Sequence, residues 1–79
     1  MQVHVKLFAS LRYYCPGLEI GESFPVELPA GATIGELVQH LGLPQEEVKL
    51  AFVNGRAQPP EYALTGGDEV GIFPPVGGG

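Results

Sequence analysis

The chain has 79 residues, enough for one small domain, and its 44% hydrophobic content has to supply the core. One cysteine and two histidines exclude an intrachain disulfide and a structural zinc site as staples. Nine acidic against four basic residues give a net charge of −5, which disfavours nucleic acid as a direct partner and favours a protein with a basic surface.

The first predicted element is a strand over residues 2–7, where apolar and polar residues alternate. This alternation leaves no apolar core for a signal peptide, and no apolar run in the chain is long enough to span a bilayer. We therefore expect a soluble cytoplasmic protein without membrane association. A single helical turn follows, predicted to be capped by Ser10 and ended by Pro16 and Gly17.

A second strand and a helix come next. Residues 23–28 alternate again, and Pro25 within them predicts an edge strand because proline cannot donate to a sheet ladder. Thr33 as N-cap, with Glu36 three residues later, forms a capping box. Apolar residues then recur at helical spacing until Gly42, which predicts the main helix of the domain.

The second half of the chain contains three predicted strands. Residues 49–53 form the third strand, and the Asn-Gly pair at 54–55 predicts a tight hairpin to a short return strand at 56–58. A long crossing loop over residues 61–68 leads to the last strand, 69–73.

The order of these elements predicts an α+β fold with a mixed four- to five-stranded sheet packed on one main helix. A right-handed crossover after the second strand lets the last strand run beside the first, in parallel, at the centre of the sheet. We expect residues 1–73 to form the domain and residues 74–79 to form an extended tail.

The tail has a conformationally restricted first part and a narrow end without side chains. Pro74 and Pro75 favour an extended polyproline stalk, and the three glycines at 77–79 carry no side chain. Such a tail can thread a narrow channel and present its carboxylate. From composition alone, a frayed terminus or a cloning scar explains the glycines equally well. Growth of the tail from a central strand favours presentation.

Few side chains outside the tail suggest chemistry, because there is no phosphate loop and no nucleophile–base set. Cys15 is expected to pack as a small hydrophobe, whereas Tyr14 is open between core packing and an interface anchor. If Val70 and Ile72 face the helix, Phe73 faces outward. It would then form an apolar docking patch with residues 74–76 at the start of the tail.

These features together resemble the ubiquitin-like β-grasp fold and, more specifically, the MoaD/ThiS sulfur carriers. The resemblance spans essentially the whole chain. Its most specific part is the Gly-Asp-Glu-Val turn at 67–70, followed by the ending Phe73-Pro74-Pro75-Val76-Gly77-Gly78-Gly79. The hairpin at 53–55 also matches. The opening at 5–12 resembles the MoaD branch, in which a short helix follows the first strand. Three terminal glycines, where the family pattern has two, and the Pro-Pro-Glu run at 59–61 depart from the pattern.

The resemblance implies a carrier or co-substrate rather than an enzyme. The Gly79 carboxylate would attack the α-phosphorus of ATP, and a persulfide sulfur would then displace AMP to leave a thiocarboxylate. Gly78 would accompany Gly79 in the reactive tip, or become the reactive residue after trimming. Residues Phe73 to Gly77 would contact the partners. This chain would bind no cofactor or metal, because ATP and Mg²⁺ would belong to the activating enzyme.

The partners implied by the resemblance are an E1-like adenylating enzyme of the MoeB/ThiF type, a MoaE-type large subunit of molybdopterin synthase and a persulfide sulfur donor. Sulfur transfer in molybdopterin (molybdenum or tungsten cofactor) biosynthesis is the function that the MoaD likeness favours. Sulfur supply for thiamine, cysteine or tRNA thiolation stays open, as do a ubiquitin-like protein modifier and a β-grasp binding module with an inert tail.

Overall fold

A computed structural model of the chain describes residues 1–75. It contains one α-helix, five strands and two short 3₁₀ segments. The strands are β1 (Gln2–Leu7), β2 (Ser23–Glu27), β3 (Leu50–Val53), β4 (Arg56–Ala57) and β5 (Glu69–Phe73). The helix is α1 (Ile34–His40), and the first and second 3₁₀ segments are Ala9–Tyr14 and Gln45–Glu47.

The strands form one mixed sheet in the order β2-β1-β5-β3-β4. The last strand, β5, lies at the centre, parallel to β1 and antiparallel to β3. β2 lies at an edge, as Pro25 predicts. The topology confirms the predicted central strand and the ubiquitin-like β-grasp fold.

The core lies between α1 and one face of the sheet, which we call the inner face. Alternate residues of the central strands point into it, so that Val5, Val70 and Ile72 are almost completely buried. Ile34 and Leu37 of α1 belong to the same cluster of buried apolar side chains. Burial of these two apolar surfaces against each other is the main source of stability available to the domain.

The start of α1 is capped as the sequence predicts. The Thr33 hydroxyl accepts a hydrogen bond from the Glu36 amide (3.2 Å), and the Glu36 carboxylate accepts one from the Thr33 amide (2.8 Å). After the helix, Gly42 has a φ of +73°, a left-handed conformation that favours glycine and ends the helix.

The first 3₁₀ segment differs from the prediction. It begins at Ala9, its N-cap residue is Phe8, and no side chain caps it, so the predicted Ser10 cap is wrong. Phe8, the one residue between β1 and this segment, is instead hydrogen-bonded to β5 through its backbone amide. Among residues 1–75, no helix is long and apolar enough to cross a membrane.

Candidate functional site

The predicted site centres on the point where β5 passes into the tail, which we call the tail root. The structure describes Phe73, Pro74 and Pro75 there. The predicted reactive residues, Gly79 and Gly78, lie outside the described residues, as do Val76 and Gly77. The described residues show how the domain holds the first residues of the tail.

Backbone hydrogen bonds hold β5 on both sides up to its last residue. The Phe8 amide donates to the Ile72 carbonyl (3.1 Å), and the Lys49 amide donates to the Phe73 carbonyl (2.8 Å). Pro74 and Pro75 have no amide hydrogen, so neither can continue the ladder. Pro74 is half-buried and Pro75 is exposed. The tail therefore leaves the sheet at a point fixed by its two neighbouring strands.

A buried carboxylate fixes the other end of β5. Among residues 1–75, Asp68 is the only buried polar residue. Its Oδ1 accepts a hydrogen bond from Asn54 Nδ2 (3.0 Å) and its Oδ2 accepts one from the Thr65 amide (2.8 Å). Asn54 Oδ1 in turn accepts one from the Glu69 amide (3.0 Å). This Asp68 cluster ties the β3–β4 hairpin to the start of β5.

Sequence reasoning missed the Asp68 cluster, although both of its motifs were visible. The Asn-Gly pair at 54–55 was a hairpin signal, and the Gly-Asp pair at 67–68 was a turn signal. Asn54 does adopt a left-handed conformation, with a φ of +51°, as the hairpin requires. That the two turns meet through their side chains depends on the sheet topology, which brings β3 beside β5.

An aromatic cluster covers the outer face of the sheet at the tail root. The Phe8 and Phe73 rings are stacked, with centroids 4.1 Å apart and planes inclined by 4°. Phe52 meets Phe73 edge to face, with centroids 5.4 Å apart. We call Phe8, Phe52 and Phe73 the aromatic platform. Pairs of this kind add about 0.5–1.5 kcal/mol beyond the burial of their area.

Phe73 faces outward, as predicted. Its ring lies on the face opposite Val70 and Ile72, but it is half-buried rather than exposed because two other rings pack against it. The contributions of Phe8 and Phe52 were missed. The available signal was that β3 alternates, which places Phe52 and Leu50 on the outer face.

The platform is one end of an open groove of about 530 Å³ on the outer face. The other end is polar, because His4 of β1 lies opposite Glu69 of β5 in the parallel register. Lys6 lies between the two ends, beside Gly71. An apolar end beside a rim of polar and charged groups is the composition typical of protein–protein contact surfaces.

The two 3₁₀ segments are joined by a hydrogen bond from the Tyr14 hydroxyl to a Glu47 carboxylate oxygen. This bond is the main cause that raises the pKa of Tyr14 above its ordinary value, with burial and the negative charges of Glu47 and Glu46 adding to it. Tyr14 is 41% exposed, so it is not a core residue. Cys15 packs against the core cluster, as expected for a small hydrophobe.

No three histidine, cysteine, aspartate or glutamate side chains come together as a metal-binding group in the part of the chain that the structure describes. The described residues of the site therefore contribute by positioning the tail. A central strand, hydrogen-bonded on both sides and fixed at both ends, carries the tail root next to an apolar surface.

Comparison with protein families and solved structures identifies similar proteins. The model of the ThiS family matches residues 5–79. A Pyrococcus furiosus protein described as a candidate molybdopterin converting factor, subunit 1, is 30% identical, with 95% of this chain and 98% of that chain covered and a TM-score of 0.75. The crystal structure of SAMP1 from Haloferax volcanii is 26% identical over the whole of both chains, with a TM-score of 0.72.

A third similar structure is a complex of subunits 1 and 2 of the molybdopterin-converting factor from Helicobacter pylori. The matched chain is 22% identical, with the whole of both chains covered and a TM-score of 0.63. At this level of identity the likeness concerns the fold.

Proposed function

Because the chain belongs to the ThiS family of small carrier proteins, we propose that it carries sulfur on its C-terminal glycine and donates it in molybdopterin biosynthesis. The observation that carries the choice of pathway is the 30% identity, over 95% of this chain, to the Pyrococcus molybdopterin converting factor subunit. The opening at residues 5–12, which resembles the MoaD branch of the family, and the Phe-Pro-Pro-Val run at 73–76 support the same choice.

In this proposal the C-terminal carboxylate is converted into a thiocarboxylate in two stages. A carboxylate oxygen of Gly79 attacks the α-phosphorus of ATP on an E1-like enzyme, and pyrophosphate leaves. The outer sulfur of a persulfide then attacks the acyl carbon, AMP leaves, and an acyl disulfide forms. A thiol cleaves that disulfide, becoming joined to the donor's sulfur, and the thiocarboxylate is released. ATP and Mg²⁺ belong to the activating enzyme.

The contribution of this chain is to present the tail. The Lys49–Phe73 and Phe8–Ile72 hydrogen bonds hold the tail root, so a partner that docks on the domain meets the tail at a defined position. Preorganisation of this kind reduces the entropy lost when the terminus enters a reactive centre. Residues 73–76 would contact the partner at its channel entrance, and the glycines at 77–79, which carry no side chain, would enter it.

The aromatic platform is the docking surface that this proposal needs. Half-buried aromatic rings surrounded by polar groups are typical anchors of protein interfaces. We propose that the activating enzyme and a MoaE-type large subunit use this surface in turn. The Helicobacter pylori structure, in which subunits 1 and 2 form a complex, supports a partner of the second kind.

The proposal is tested by mass spectrometry of the chain after co-expression with a MoeB/ThiF-type enzyme and a persulfide donor. We expect a terminal oxygen to be replaced by sulfur in the wild type. Gly78→Val should abolish this product while the fold persists, because the added carbons would not fit a channel shaped for glycine. Ala57→Val, a matched change on exposed strand β4, should leave the product intact. Normal thiocarboxylate on Gly78→Val would contradict the proposal.

A second candidate function is that of a ubiquitin-like modifier. The 26% identity, over the whole chain, to SAMP1 of Haloferax volcanii favours it, because SAMP1 is described as small archaeal modifier protein 1. Both functions use the same activation of the tail, so activation alone does not separate them. Deleting the gene for this chain in its own cell separates the two functions. Loss of molybdopterin that a MoaE-type subunit cannot restore by itself supports the carrier. Loss of the isopeptide links between this tail and lysines of target proteins supports the modifier.

A further inference from the structure

Gly71 lies in the middle of β5 on its outer face, beneath the aromatic platform. We propose that its missing side chain sets the shape of the platform, and that Gly71 is a positioning residue for partner docking at the tail root. This inference rests on the proposed function, because it assumes that a partner docks there to reach the tail. It assigns a role to a residue that touches neither the tail nor the reacting atoms.

The space above Gly71 is filled by the rings. A Cβ atom built on Gly71 would lie 3.2 Å from Phe8 Cε2 and 3.6 Å from Phe73 Cε1. Carbon atoms pack best at about 3.5–4.0 Å, so the first contact is too close. A side chain at position 71 would therefore displace the Phe8 ring by a few tenths of an ångström, away from the strand and relative to Phe73.

The backbone does not require glycine at this position. Gly71 is not one of the glycines with positive φ, and it pairs with Phe52 and Lys6 within the sheet. Glycine in a strand interior is costly because it gains nothing from packing and loses much freedom on folding. The physical reason for glycine here is therefore the room that it leaves for the rings.

Phe8 has little freedom to adapt by moving its backbone. Its amide donates to the Ile72 carbonyl and its carbonyl accepts from the Leu11 amide, each at 3.1 Å. The next residue, Ala9, already has a left-handed φ of +52°, a conformation that alanine rarely adopts. A collision at Gly71 would therefore be relieved by rotation of the Phe8 ring, which changes the platform rather than the sheet.

The stacked rings form a flat apolar surface directly before Pro74. Leu50, 47% exposed, lies opposite Phe73 in the β3–β5 pairing and extends this surface. An apolar side chain of the partner fits such a surface. The alternative role for the rings is purely structural, since an aromatic side chain over a strand glycine compensates for its missing contacts. The two roles predict different effects of the same substitution.

The test is Gly71→Ala, with Gly66→Ala as the matched control. Gly66 also lacks a positive φ, and a Cβ there would meet Met1 Cβ at an ordinary 3.6 Å. The probe is ATP–pyrophosphate exchange by a MoeB/ThiF-type enzyme, with the carrier as the varied substrate. For Gly71→Ala we expect shifted NMR ring resonances of Phe8 and Phe73 and a KM about tenfold higher, about 1.4 kcal/mol of binding. Its kcat and the kinetics of Gly66→Ala should be unchanged.

A second pair of variants keeps the inference testable if Gly71→Ala folds poorly. Phe8→Leu removes the colliding ring atoms and the stack together, so it should raise KM by a similar factor. Adding Gly71→Ala to Phe8→Leu should then raise KM no further, because the glycine acts only through that ring. Independent effects that multiply in the double variant would overturn the inference.

The remaining outcomes are distinguishable. Ring resonances that do not move in Gly71→Ala would show that Gly71 does not shape the platform. Moved resonances with an unchanged KM would show that the platform has a structural role only. Either result overturns this inference and leaves the proposed function standing. A wild-type chain that supports no exchange and acquires no thiocarboxylate would overturn the proposed function, and this inference with it.

Discussion

The two faces of β5 differ in what their residues are for. On the inner face, Val70 and Ile72 are 2% and 0% exposed and belong to the cluster under α1. On the outer face, Glu69 is an exposed charge, Gly71 has no side chain and Phe73 is a half-buried ring. The inner residues are those that any central strand of a two-layer domain needs. The outer residues belong to the surface that the proposed docking would use.

The largest expected effect concerns the inner face. Ile72→Ala should lower the free energy of unfolding by about 2–5 kcal/mol, because it removes a fully buried side chain and leaves a cavity. Leu50→Ala is the matched control, since it removes a similar side chain from an outer-face position that is 47% exposed. It should cost about 1 kcal/mol. Urea unfolding measures both values, and equal losses would break the distinction between the faces.

The inner face could be predicted from sequence, whereas much of the outer face could not. Alternation within β5 identifies Val70 and Ile72 as buried, and the Thr33–Glu36 capping box locates α1, because both are local patterns. The platform is not local. Phe8 and Phe52 lie far apart along the chain and reach Phe73 only because β1 and β3 flank β5.

The Asp68 cluster was missed for the same reason. Asn54 and Asp68 are separated by fourteen positions, and each forms part of a turn that is sufficient to explain it locally. Burial of Asp68 follows from the meeting of these turns and not from its neighbours in sequence. Pairwise side-chain contacts between loops are the part of a fold that patterns of hydrophobicity do not encode.

The second prediction concerns the start of β5. Asp68→Ala should cost about 1–3 kcal/mol, because Asn54 Nδ2 and the Thr65 amide lose their acceptor in a place with little access to water. Glu69→Ala changes the adjacent exposed carboxylate and should cost less than about 0.5 kcal/mol.

Hydrogen exchange sharpens this second comparison. The Glu69 amide, which donates to Asn54 Oδ1, should exchange faster in Asp68→Ala because Asn54 is no longer held. If Asp68→Ala and Glu69→Ala have equal stabilities, burial of the Asp68 carboxylate contributes nothing to fixing β5.

The smallest expected effect concerns the hydrogen bond by which Tyr14 joins the two 3₁₀ segments. The pKa of Tyr14 is raised above 10.0, first by the hydrogen bond to Glu47 and then by burial and by the charges of Glu47 and Glu46. A raised pKa means that the folded state holds the proton more tightly than the unfolded state. Protonated Tyr14 therefore contributes fully to stability below about pH 10, which is the pKa of tyrosine in the unfolded chain. This contribution is lost as the pH rises through the pKa of Tyr14 in the folded state.

Tyr14→Phe should thus be slightly less stable than the wild type at neutral pH, and the difference should shrink at a pH above the folded pKa of Tyr14. Tyr13→Phe is the matched control, because Tyr13 is 81% exposed. It should follow the wild type at every pH. Urea unfolding across the alkaline range measures the difference. The difference in stability between Tyr14→Phe and the wild type could instead stay constant as Tyr14 ionises. That result would mean that the Tyr14–Glu47 hydrogen bond does not stabilise the folded state.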